Sequence, residues 1–85
     1  MLDIDFSNIP KDEIEEYYKS ISLKVRYFRE KKNMTQLDLD LALDIGIKSV
    51  AFYSNCENNR YGKHFNLEHL YKIAKTLDMN IKDFL

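Results

Sequence analysis

The chain has 85 residues, 45% hydrophobic and 32% charged, with two glycines, one proline and a formal net charge of −1. One domain with a small core fits that length, and so few breakers favour long helices with short connections over a sheet-rich fold. The single Cys56 excludes an internal disulfide and a cysteine-rich metal site; no run of about 18 apolar residues and no signal peptide is present, so a cytoplasmic, reducing setting away from the membrane is expected.

The charge is unevenly spread. Residues 1–18 hold Lys11 against six acids, a net of −5, whereas residues 19–85 hold twelve cations and eight acids, a net of +4. A mildly basic body therefore carries an acidic N-terminal extension, and a phosphate backbone would sense that asymmetry rather than the total.

In chain order, residues 1–9 show no usable period. Pro10 with Lys11, Asp12 and Glu13 signals a helix start. Ile14, Tyr18, Ile21, Val25 and Phe28 then recur at three- or four-residue spacing as one amphipathic face, either on one helix over residues 10–32 or on two with a break near Ser20–Ser22. Thr35 with Asp38 makes an imperfect capping box for the next helix. The alternation Leu37-Asp38-Leu39-Asp40-Leu41 has a strand period, but Leu and Ala favour helix, and Leu37, Leu41 and Ile45 form a helical stripe. Gly46 supplies a corner. Ser49 caps a short helix to about Asn58, and a polar loop follows to Phe65. Asn66 caps a helix whose face is Leu67, Leu70, Ile73, Ala74 and Leu77, and Asn80 with Asp83 opens a final turn that buries Ile81, Phe84 or Leu85. The fold class is all-α: a compact bundle of about five helices, with a central helix-corner-helix unit and an N-terminal helical extension.

Three pieces resemble the lambda-repressor-like helix-turn-helix domain in its bacterial Xre-type branch. They are VRYFREKKNMTQ, then LALDIGIKS followed by SNCENN, and NLEHLYKIAKTLDMNIKDFL. The likeness spans about Ile21 to Leu85, so residues 1–20 read as an acidic extension, helical from about residue 10, and residues 21–85 as the domain. It implies that Ala42 faces the following helix, that the helix after Gly46 enters a major groove, and that Arg29 forms a structural ion pair with Glu57. Two more residues than usual separate Thr35-Gln36 from Ala42-Gly46, and one more separates Gly46 from Glu57. The recognition helix therefore has two registers. With Tyr53 and Cys56 inward, Ser49, Val50, Ala51, Ser54, Asn55 and Asn58 face outward. With Phe52 inward, the outward set is Lys48, Ser49, Val50, Tyr53 and Ser54. The first keeps Asn55 and Asn58 in solvent and is preferred.

On the outward face, Asn reads adenine and Val or Ala meets a thymine methyl. No Arg lies there, so A·T-rich sites are expected. Phosphate contacts are expected from Thr35, Gln36, Lys48, Arg60 and Lys63, the loop pair being the best placed; Lys24, Arg26, Lys31, Lys32 and His64 are as readily a solvated face. His64 and His69 lack partners at metal-ligand spacing, Cys56 reads as a small buried hydrophobe, and no base is placed to activate a nucleophile. No catalytic residue, metal or cofactor is expected. The function expected is a DNA-binding transcriptional regulator acting as a repressor, a homodimer on double-stranded DNA. The other reading is a protein-interaction module, such as an antitoxin or accessory subunit. Residues 1–18 would shield the basic body, form a dimer contact, or engage a protein partner.

Overall fold

The computed structural model describes residues 8–43 and 50–85. Their elements are helices α1 (Lys11–Lys31), α2 (Gln36–Leu43), α3 (Val50–Glu57) and α4 (Leu67–Thr76), with 3-10 turns at Arg60–Gly62 and Ile81–Asp83. The fifth expected helix is thus a single 3-10 turn. Gly46, Ile45, Lys48 and Ser49, with the corner they were expected to form, lie outside the described residues.

Helix α1 is continuous through Ser20–Ser22. Serine weakens helices when its hydroxyl competes for the local backbone. Here Ser22 is buried and its Oγ lies 3.1 Å from the Cys56 carbonyl and 3.3 Å from Asn59 Oδ1, so the hydroxyl is used across helices. The helix ends in a Schellman motif: Asn33 takes φ 58°, its N–H donates to the Glu30 carbonyl, and the Met34 N–H to that of Arg29. Asp78 (φ 56°) closes α4 in the same way, with Met79 N–H donating to the Ala74 carbonyl.

The core gathers Ile21 and Val25 of α1, Leu39 and Leu43 of α2, Tyr53 and Cys56 of α3, and Leu70, Ile73 and Ala74 of α4, closed by Phe65, Leu77 and Phe84. On α2 the expected stripe is corrected. Leu37 and Leu41 are exposed, and the buried pair is Leu39 and Leu43. The period-two sequence offers both pairs at i, i+4 spacing. The reciprocal box between Thr35 and Asp38 fixes the helix start, and Gln36, three residues before Leu39, reaches inward to Glu57. That phase turns Leu39 and Leu43 inward and leaves Ala42 exposed, not against a following helix. Leu67 is likewise exposed, because it sits on the inward side of α4 beyond the end of the core.

Helix α4 begins with a full capping box. Asn66 Oδ1 accepts from His69 N–H at 2.8 Å, and His69 Nδ1 accepts from Asn66 N–H at 3.2 Å. Burial holds the His69 pKa below its ordinary value; Lys72 acts in the same sense and Glu68 in the opposite one. The unfolded chain therefore binds the extra proton more readily. Stability should be full above about pH 6.5 and fall as pH drops through and below that value. Glutamine keeps an acceptor at this position without titrating, so melting temperatures of His69→Gln between pH 5 and 7.5 should lose this slope. An unchanged slope would place the pH dependence elsewhere.

Candidate nucleic-acid interface

One buried carboxylate joins the first three helices. Glu57, the last residue of α3, accepts from Arg29 Nε at 3.0 Å and Arg29 Nη2 at 2.8 Å, a fork-to-fork pair. Gln36 Nε2 of α2 lies 3.2 Å from the same carboxylate, and Arg29 Nη1 donates to the Met34 carbonyl at 2.6 Å. Both charged side chains are buried. The hydrogen bond to Glu57 raises the Arg29 pKa further, so the guanidinium stays charged. Tyr53 packs beside the pair with its hydroxyl buried; burial first, and then the Glu57 carboxylate, push its pKa above the ordinary value.

The clamp fixes how α3 is rotated. Tyr53 and Cys56 are fully buried, and Phe52 only partly. Burial pushes the Cys56 thiol up to about 11, so it behaves as an apolar filler. The opposite face presents Ala51 and Asn58 as exposed, with Ser54 and Asn55 half-buried between them. These four sit at i, i+3, i+4 and i+7 and share one side of the helix. Asn58 Nδ2 donates back to the Ser54 carbonyl at 2.9 Å, leaving its oxygen as the outward group. Val50 opens α3 in the backbone; Ser49 and Lys48 fall outside the described residues.

The expected phosphate-contacting residues separate into two sets. Thr35 is closed into its capping box, where its N–H and hydroxyl hold the Asp38 carboxyl below the usual range. Gln36 is engaged by Glu57. Arg60 and Lys63 are exposed in the loop leaving α3. Of the more general cations, Arg26 pairs with Glu30 at 3.1 Å, Lys31 lies over the Tyr27 ring, and His64 stacks on Tyr18 with centroids 3.7 Å apart. Lys32 is exposed and Lys24 half-buried.

Tyr61 is a feature that hydropathy gave no reason to single out. It is 85% exposed and takes φ 55°, between left-handed Asn59 and Gly62. A left-handed tyrosine costs about 1–2 kcal/mol, and such strain at a loop tip is often retained for function. Tyr61→Gly should therefore raise stability by about 1 kcal/mol in chemical denaturation while weakening any DNA complex. A variant less stable than the parent would show that the ring has an intramolecular role.

Two successive short helices packed on each other, with the second clamped to a preceding helix through its last residue, define a helix-turn-helix domain. The chain belongs to the helix-turn-helix family in its lambda-repressor-like branch, whose model matches residues 25–84. That family is one of DNA-binding proteins. No curated protein and no solved structure matches the chain. Among the described residues no helix is long and apolar enough to cross a membrane, and no cluster of metal-ligating side chains occurs.

Proposed function

We propose that the protein is a cytoplasmic, sequence-specific transcriptional repressor. It inserts α3 into the DNA major groove and acts as a homodimer through its terminal helices, with half-sites about 34–36 Å apart. Residues 1–20 are an acidic extension to a reader formed by residues 21–85. The observation that carries this reading is the Glu57 clamp, which locks α1, α2 and α3 while leaving Ala51, Ser54, Asn55 and Asn58 on an outer face. With Ser49 and Val50, these residues contact bases. Arg60 and Lys63, joined by Lys48, supply phosphate contacts, and an A·T-rich site follows from a face without Arg. The test is DNA affinity against salt. A reader loses affinity steeply as salt rises because neutralised phosphates release counterions; absence of salt-sensitive binding at low salt would sink the proposal.

A second reading has its own support. Helix α2 contains Asp38 and Asp40 and no cation, exposes Leu37 and Leu41, and its Thr35 and Gln36 are committed within the chain. A helix of that composition suits a protein partner better than a phosphate backbone. The protein-interaction reading, including a partner at the acidic extension, predicts no salt-sensitive DNA binding at low salt.

A further inference from the structure

The Arg29 clamp is one end of a longer seam along α1. At 3.6 residues per turn, Tyr18, Ser22, Val25 and Arg29 fall within about 60° of one another on the helix. Val25 is buried in the core, and each of the other three holds a point on α3 or on the loop leaving it. Arg29 grips Glu57. Ser22 Oγ lies 3.1 Å from the Cys56 carbonyl and 3.3 Å from Asn59 Oδ1. The Tyr18 ring stacks on His64, with centroids 3.7 Å apart and planes 11° from parallel. As the chain passes from Glu57 to His64, its contacts therefore step back along α1 towards the N-terminus of that helix.

The loop so held is one that its own residues do not favour. Asn59, Tyr61 and Gly62 take φ of 54°, 55° and 67°, and two of the three are not glycine. Such backbone persists where the surroundings over-determine it. Arg60, Tyr61, Gly62 and Lys63 are all exposed, and the loop bonds itself through the Lys63 N–H to the Arg60 carbonyl at 2.9 Å. Ser22 at the entry and Tyr18 at the exit bracket these four residues. Two of the four are the exposed cations Arg60 and Lys63. A cation already held in place binds a phosphate without first losing loop freedom. Both bracketing residues precede residues 25–84, the segment shared with the family.

We propose that Tyr18 and Ser22 are positioning residues for phosphate binding. They brace residues 59–64 so that Arg60 and Lys63 meet the DNA backbone together. The first half of α1 thereby sets affinity without touching a base. This rests on the DNA-reading function proposed above.

Tryptic cleavage of the native full chain after Arg60 and Lys63 reads the brace without DNA. Tyr18→Ala should speed both cuts by about tenfold, the worth of a stacked ring pair, and leave cleavage after Lys72 in α4 unchanged. Tyr18→Phe keeps the stack and should cleave as the parent does. Ser22→Ala should act like Tyr18→Ala from the other end of the loop, and decides the matter if Tyr18→Ala does not fold. Salt titration on a DNA site selected by the parent reads the function. Tyr18→Ala should bind about tenfold more weakly and flatten the slope of log affinity against log salt by about 1 to 2, with base preference unchanged. Tyr18→Phe should keep the parent slope. Arg60→Ala and Lys63→Ala should each cost about one unit of slope in the parent and little in Tyr18→Ala. Parent-like cleavage in both Tyr18→Ala and Ser22→Ala would overturn the brace. Faster cleavage with an unchanged salt slope would overturn its part in phosphate binding. A parent without salt-sensitive binding would overturn the reader and the phosphate role with it, and cleavage would still decide the brace.

Discussion

Replacing Glu57 with alanine should destabilise the protein by about 3–5 kcal/mol, because the Arg29 guanidinium would stay buried without its carboxylate. A domain of this size has about 5–15 kcal/mol in total, so the melting temperature should fall by more than about 10 °C. Arg29→Ala should cost a similar amount by stranding Glu57, which would keep only Gln36 as a donor. Arg29→Lys should rescue little. An ammonium cannot bridge both carboxylate oxygens and also reach the Met34 carbonyl, as the guanidinium does. The pair is expected to fix geometry more than to supply net stability. The double variant Arg29→Met with Glu57→Leu should thus recover most of the loss, since well-packed apolar replacements of buried pairs are often neutral. Thermal and denaturant unfolding of the four variants decides the matter. Single variants within about 1 kcal/mol of the parent would show that the clamp is not what holds α3.

The second large effect falls on binding and leaves the fold alone. Ala51 is exposed in the first turn of α3, on the face away from Tyr53 and Cys56. A glutamate there is tolerated by the helix, since an acid near an N-terminus suits its dipole. At a protein–DNA contact it would bury an unpaired charge and face the phosphates. The cost should be about 3 kcal/mol or more, a loss of at least about 100-fold in affinity for a selected site. Melting of Ala51→Glu should match the parent. Undiminished binding would mean that this face does not meet the DNA.

How much of this was legible in the sequence differs by element. Periodicity placed α1 and α4 and the side of each that turns inward, and cap residues located the starts at Thr35, Asn66 and Asn80. Periodicity does not say how far the body extends along a helix: Ile14 and Leu67 share a face with buried residues, yet both are exposed. Nor could it phase α2. Leu37/Leu41 and Leu39/Leu43 are equivalent in sequence, and the choice is made by Gln36 reaching a carboxylate 21 residues away. Phe65, in a polar loop, and Ser22, a hydroxyl on a helix, carry no periodic signal, and both are buried. For the candidate site, the preferred register of α3 is the one with Tyr53 and Cys56 inward. Binding partners had to come from the family, because an outward face of alanine, serine and asparagine has no chemistry peculiar to DNA.

The most direct test of that face is selection of binding sites from a random DNA pool by the parent and by Ala51→Arg. If α3 reads the major groove, the parent should return an A·T-rich motif with two-fold symmetry. The arginine variant should then shift preference to guanine at one position in each half-site, through a bidentate contact to its O6 and N7. An identical motif from both proteins, or no enrichment from the parent, would contradict the account.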